Sequence, residues 1–198
     1  MSILKFFQPK FLFALARSLW IKAKYGRDVR FNLFKVYFGK NFDIRVVGGG
    51  TLEIETSNGR VYFDDNCRVM CSGGKLRIQS GTFFNTGCII NVHEQVDIGA
   101  DCMFGPSVAL FDSDHAYSER NKKFKDQGYI KAKVVIGENC WVGANTVITK
   151  GVKIESNVIV GANSVVTKPL ASRSIYAGNP ARLIKNIWAD DGDNRLST

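Results

Sequence analysis

Residues 136–171 fall into six consecutive hexads that open at Ile136, Val142, Ile148, Ile154, Val160 and Val166. An aliphatic β-branched residue at every sixth position fits neither the 3.6-residue period of a helix nor the alternation of one long strand. It fits a short strand and turn, repeated. The fifth place of each hexad holds Cys140, Thr146, Val152, Val158, Ser164 or Leu170, small or aliphatic in each case, with Gly, Asn and Lys between. Two inward-facing residues per hexad imply a coiled parallel β prism, in which each coil buries its apolar side chains against the next.

Upstream the same register returns at Ile78, Phe84 and Ile90, slips by two residues through Ile90–Asp97, and resumes at Ile98, Phe104 and Leu110. The slip predicts a bulged corner. Further back, the alternating pairs Leu52/Ile54, Val61/Phe63, Val69/Cys71 and Leu76/Ile78 are separated by Gly48-Gly49-Gly50, Asn58-Gly59 and Gly73-Gly74. They read as degenerate first coils.

At 198 residues and 45% hydrophobic content the chain suits one domain plus extensions. Its five cysteines lack C-x-x-C spacing and several fall at inward positions, which points to reduced, buried thiols and a cytoplasmic protein. The apolar run Phe11–Ala16 is too short to span a membrane, and no small-residue cleavage site follows it. The net charge of +9 is concentrated in residues 1–45, where ten Lys and Arg face only Asp28 and Asp43. Ile3, Leu4, Phe6, Phe7, Phe11, Leu15, Leu19 and Trp20 are interleaved with those cations, so residues 2–24 form a basic amphipathic segment broken or started at Pro9. Two roles compete for it: a cap over the open first coil, or a helix lying on the anionic inner face of a membrane. No base-reading motif accompanies the charge, so nucleic acid is not an expected partner.

The run I-G-x-N-x-W-V-G-A-N-x-V-I-x-x-G-V-x-I, followed by V-I-V-G-A-N-S-V-V-T-K-P, resembles the hexapeptide-repeat acyltransferases, among them sugar or polysaccharide O-acetyltransferases and maltose or galactoside acetyltransferases. The resemblance implies an all-β solenoid, a left-handed parallel β-helix with three hexads per coil, and a homotrimer. The left hand comes from the resemblance alone, since parallel crossovers are generally right-handed. The expected organisation is a basic N-terminal extension over 1–43, a β-helix over 44–186 with a loop insertion at 111–135, and a C-terminal tail or helix over 187–198.

Between Leu110 and Ile136 the repeat is interrupted by a polar stretch that begins Phe111-Asp112-Ser113-Asp114-His115. A long insertion in a solenoid is usually functional. In the resembling acetyltransferases a histidine at this place is the general base, and Ile98-Gly99, Pro106, Val108 and His115 match that spacing. A neutral imidazole can take the proton of a sugar hydroxyl as its oxygen attacks a thioester. By the same resemblance Asn85 holds the acceptor hydroxyl, although a corner asparagine in left-handed backbone explains it equally well. Asp112 or Asp114 is a candidate to orient His115, and Asp114 a candidate for acceptor contact. His93 has no matching family position and reads as structural or peripheral. No G-x-S-x-G and no Cys–His pair is present, so direct attack on a pre-activated donor is expected.

The resemblance supplies acetyl-CoA as that donor. Trp141, Gly143 and Ala144 match the corner along which the pantetheine arm lies, with the Ala144 N–H as oxyanion donor. Ala162 extends those contacts; Thr167 and Lys168 match the nucleotide end; Gly178-Asn179-Pro180-Ala181-Arg182 matches a closing G-x-P-A-R element. Lys168, Arg182 and Lys185 are the candidate phosphate partners. The expected activity is O-acetylation of a sugar, in bacterial surface-polysaccharide assembly or, alternatively, of the maltose or galactoside type. Carbonic anhydrases share this fold and hold zinc with three histidines, whereas this chain has only His93 and His115. No metal site is expected. A non-catalytic scaffold leaves the loop histidine and the G-x-P-A-R ending unexplained.

Overall fold

The computed structural model describes residues 9–188, with the side chains of residues 9 and 10 left aside. Its body is a left-handed parallel β-helix of about seven turns. Three faces, termed A, B and C in chain order, carry six, eight and six strands. The first coil comprises Val29–Arg30 on face A, Val36–Phe38 on face B and Asp43–Val47 on face C. Each later coil repeats that order. The sixth ends at Val165–Val166, and a partial seventh runs from a bridge at Leu170 to Ser174–Ala177, closed by the antiparallel strand Arg182–Asn186.

In-register pairing puts inward side chains on top of one another. On face B the stack is Phe38, Phe63, Phe84, Phe104, Val142 and Val160. The Phe63, Phe84 and Phe104 rings lie nearly parallel at 4.6 and 4.7 Å between centroids. Faces A and C hold matching columns, Ile54–Ile78–Ile98–Ile136–Ile154 and Ile44–Val69–Ile90–Leu110–Ile148–Val166. The corners turn through left-handed backbone, taken at six-residue spacing by Asn139, Asn145, Gly151, Asn157 and Asn163. Short polar side chains tolerate that region, and the amides ladder between coils, Asn139 to Asn157 at 2.8 Å and Asn145 to Asn163 at 3.2 Å.

The outward columns differ between faces. Face A carries charges joined across coils, Arg77 with Glu53 and Asp97, and Lys133 with Asp97 at 2.7 Å. Face B carries Tyr62, Phe83, Met103, Trp141, Ile159 and Ile175, with Met103 and Trp141 both 51% exposed. Face C carries Ile89, Ala109, Val147 and Val165. Apolar columns therefore flank the edge between faces B and C.

Helix α1 (Pro9–Tyr25) starts at the proline, whose fixed φ suits a first helical position. It caps the first coil: Ala14, Ser18 and Ile21 are buried, the Arg17 guanidinium donates to the Phe38 carbonyl, and Tyr25 Oη donates to the Ile44 carbonyl at 2.7 Å. The cap reading of the N-terminal segment is thus realised over 9–25; residues 1–8 lie outside the described residues. The solenoid begins at Val29, inside the stretch expected as extension, because Val29, Val36 and Ile44 already stack on Leu52, Val61 and Val69. At the other end Arg182–Asn186 is a strand, and of the expected tail only Ile187 and Trp188 are described.

The register slip has a physical cause. Face C of the third coil (Ile89–Val92) and face A of the fourth (Gln95–Ile98) each turn two residues inward, joined at His93-Glu94. Asp112, fully buried one coil above, accepts the His93 N–H at 2.7 Å and the Glu94 N–H at 2.8 Å, one on each carboxylate oxygen. A buried carboxylate is tolerated because both oxygens are paired. Burial, reinforced by the Asp112 charge, pushes the Cys71 thiol up to about 12, so it stays neutral beside the carboxylate.

Asp112→Ala removes both charge-assisted bonds and should cost about 2–4 kcal/mol of stability. Asp112→Asn keeps one acceptor and should lose roughly half as much. Urea unfolding measures both, and an Ala variant as stable as the parent would contradict the corner-lock assignment.

Candidate active site

The chain leaves the prism after Asp112, at the edge between faces C and A, and returns where the Ala132 N–H donates to the Asp112 carbonyl at 2.9 Å. The excursion is a hairpin of Ser113–His115 against Tyr129–Lys131, with His115 directly opposite Tyr129. Its far loop is tied by Gln127, whose side chain bonds the backbone of Glu119 and Lys122. Asp114 forms an ion pair with Lys150 of the fifth coil at 2.6 Å, which fixes the hairpin to the coil above.

His115 is solvent-exposed, with its ring 4.7 Å from that of Tyr129. Across the same cluster, His93 stacks on Tyr129 at 4.6 Å, and its Nδ1 lies 2.9 Å from Ser113 Oγ. Two imidazoles thus bracket one phenol. His93, which the sequence reads as structural or peripheral, packs within this cluster. Neither aspartate orients the His115 ring: Asp112 is committed to backbone N–H groups, and Asp114 to Lys150. Contact with the Tyr129 ring and the hairpin backbone takes that part.

A second group stands on the edge between faces B and C. Asn85 sits there, its Oδ1 accepting the Thr86 N–H at 2.8 Å. Its backbone is not left-handed; Gly87, at φ +75°, makes that turn, so the corner explanation of Asn85 does not apply. Above Asn85 come Gly105, Gly143 and Gly161, one per coil. A Cβ on Gly143 would stand 2.5 Å from the Ala162 N, so close coil approach, not turning, requires glycine. The Gly143 and Asn145 N–H groups are spent on Val160 and Pro106 carbonyls, and those of Gly161 and Asn163 on Tyr176 and Ala144. The intervening Ala144 and Ala162 N–H groups stand outside that ladder. Trp141 is half exposed beside them on face B. Gly178 and Ala181 close the edge above, paired to Val165, with Arg182 and Lys185 exposed on the final strand.

Thr167 and Lys168 instead follow Val165–Val166, on the edge between C and A, two coils above His115. The expected site residues therefore divide. His115, Asp114, Thr167 and Lys168 occupy one edge; Asn85, Trp141, Gly143, Ala144, Ala162 and Arg182 lie along or beside the other. Face C separates them. The five residues from Asn145 to Thr149 span roughly 15 Å of extended chain, and that width of face C lies between the two groups. Sequence reasoning did not connect His93 to this cluster and did not single out Tyr129 or Lys150. The two-residue slip was the available signal for His93, since it marks the corner that holds the hairpin's root.

Residues 133–168 match the family model described as bacterial transferase hexapeptide (six repeats). A Mycobacterium tuberculosis protein named "Probable acetyltransferase" is 28% identical over 181 residues, covering 86% of this chain and 59% of that protein. Galactoside O-acetyltransferase of Lactococcus lactis is 33% identical over 120 residues, 60% of this chain and 57% of the enzyme. The chain thus spans about three fifths of the length of these curated relatives. Among solved structures, a maltose O-acetyltransferase from Clostridium difficile superposes with a TM-score of 0.57 at 21% identity, covering 91% of this chain and 89% of its own. A point mutant of AntD, an N-acyltransferase from Bacillus cereus, in complex with dTDP and coenzyme A, gives 0.60 at 23%, covering 85% and 88%. At those identities the likeness establishes the fold. The repeat over residues 133–168 and the acetyltransferase relatives make the chain similar to the hexapeptide-repeat transferases.

Proposed function

We propose that the protein is an acetyl-CoA-dependent O-acetyltransferase acting on a sugar hydroxyl, in surface-polysaccharide assembly, and that it works as a homotrimer. The observation that carries the reading is the exposed His115 on a hairpin rooted in a locked corner. In the proposed reaction a neutral His115 accepts the proton of the acceptor hydroxyl as the oxygen bonds to the thioester carbon. The collapsing adduct then expels the CoA thiolate, which His115 reprotonates. The Ala144 N–H, outside the backbone ladder, would bind the developing oxyanion. Asn85 would hold the acceptor hydroxyl with its amide, and Ala162 would hydrogen-bond the pantetheine arm. Arg182 and Lys185, with Lys168 from the facing edge, would meet the phosphates. The coenzyme A complexes of AntD and the O-acetyltransferase names of the L. lactis and C. difficile proteins support the donor and reaction class.

The same geometry supports the trimer. The base and the candidate donor contacts stand on different edges of one prism, and apolar outward columns flank one of those edges while face A is charged. Two unlike surfaces that join head to tail around an axis make a closed ring. The hairpin of one chain would then lie over the edge between faces B and C of its neighbour, bringing His115 to that neighbour's Asn85 and Ala144.

His115→Ala should lower kcat by about 10²–10⁴-fold with little change in CoA affinity, because the group acts in the transition state. Free-CoA release with a panel of sugar acceptors measures it; a variant keeping more than about a tenth of the parent rate would refute the base assignment.

For Arg182→Ala the pattern reverses. The KM for acetyl-CoA should rise by the equivalent of about 1.5–3 kcal/mol while kcat changes less. Unchanged CoA affinity by calorimetry would remove the phosphate role.

Co-expression of His115→Ala with Arg182→Glu tests the shared site. In evenly mixed trimers about a quarter of sites combine both intact halves, so activity should return to near that fraction. Verified heterotrimers without activity would return both residues to one subunit's site.

A further inference from the structure

We propose that the outward face of α1 is a docking surface for an anionic lipid bilayer. The helix is apolar on two sides. One side, with Ala14, Ser18 and Ile21, is spent on capping the first coil. On the opposite side Leu12, Ala16, Leu19 and Ala23 follow the three- and four-residue spacing of a single helix face, with Phe13 and Trp20 beside them, and all six are exposed. Leu12 is 53% exposed, Phe13 69%, Leu19 51% and Trp20 53%.

A cap of a repeat stack needs only its inner side apolar, and a polar outer side keeps the end of the solenoid soluble. Here the outer side is a continuous apolar stripe. Phe34, 62% exposed on the turn between the first two strands, extends the patch across an apolar groove beside Phe11, Leu12 and Leu15. Contiguous patches of this kind mark contact sites.

The rim identifies the partner. Lys24 Nζ lies 4.7 Å above the Trp20 ring, Lys22 sits over Phe31, and Arg27 and Arg30 follow at the helix end, with Asp28 the lone acid before Asp43. A tryptophan on an apolar stripe bordered by Lys and Arg suits the boundary between acyl chains and anionic headgroups. A second copy is disfavoured on the same ground, since face-to-face pairing would set two cationic rims against each other. None of the described helices is long and apolar enough to cross a membrane, so the contact is parallel to the surface. It stands apart from the catalytic reading, because α1 lies at the first coil and the hairpin leaves the fourth.

The test is co-sedimentation of the full chain with vesicles of phosphatidylcholine alone or with about one third phosphatidylglycerol. The expected result is binding to the anionic vesicles, weakened at high salt, and at least about tenfold weaker binding to neutral ones. Phe13→Ser/Trp20→Ser should lower the anionic partition by about tenfold or more while leaving the melting temperature unchanged, since both rings point away from the first coil. Lys22→Glu/Lys24→Glu should abolish the preference for anionic lipid. A parent protein that ignores anionic vesicles, or a double serine variant that binds as well as the parent, overturns the proposal. So does a parent that fails to bind while the serine variant changes oligomeric state by light scattering, which would make a second copy the occupant.

Discussion

Everything in this molecule depends on the rule that each inward side chain rests on its counterpart one coil below. Parallel strands repeat at about 4.8 Å, and the phenylalanine rings of face B lie 4.6–4.7 Å apart in the middle coils, so the ring stack has the period of the backbone ladder. The same spacing sets isoleucine on isoleucine along face A. A residue of different volume in one coil disturbs both neighbours, because the column has no lateral freedom. The ladder passes from Phe104 to Val142 where the hexads become strict, and by the sixth coil every strand is two residues long.

Because the faces are committed to that stacking, chemistry is confined to the edges. An edge can extrude chain without breaking a column, provided the strands on either side keep register. Asp112 meets that condition by bonding to the corner below with both carboxylate oxygens, while its carbonyl receives the returning Ala132 N–H. The hairpin that carries His115 is thus anchored at its root by one residue, and a coil higher by the Lys150–Asp114 pair. A base on a mobile loop would sample many positions; the hairpin carrying the proposed base His115 is held at two points.

The repeat was legible because hexads with β-branched leaders have one structural solution, and the stacked columns were readable from Leu52 onward. The first coil was not, since Val29, Val36 and Ile44 sit among cations and aromatics that mimic an amphipathic helix. His115 could be singled out through the family resemblance, whose spacing along the chain it matches. His93 and Tyr129 could not, because their meeting depends on where the hairpin folds back over the previous coil, a contact between residues far apart in sequence. The cap and membrane readings of the N-terminus looked exclusive in one dimension. In three the cap uses one side of α1, and the buried set Ala14, Ser18, Ile21 leaves the outer stripe open to the proposed membrane contact.

A triangular prism is convex, and substrates of ordinary size bind in concave sites. The faces offer flat sheet, the edges offer ridges, and the rigid ladder cannot bend to make a cleft. Concavity can therefore come only from an insertion standing off the surface or from a second prism laid alongside. This chain has the insertion, and its apolar outward columns on two adjacent faces suit the second prism. The N–H groups of Ala144 and Ala162, unspent on a ridge, acquire a role only when something covers that ridge. The proposed trimer covers it with the neighbour's hairpin, whose imidazole would be the one strong proton acceptor in a groove lined by backbone donors. On that geometry the interface is part of the catalytic apparatus, and an isolated subunit would retain the base, the donor contacts and the fold while lacking a place for two substrates to meet.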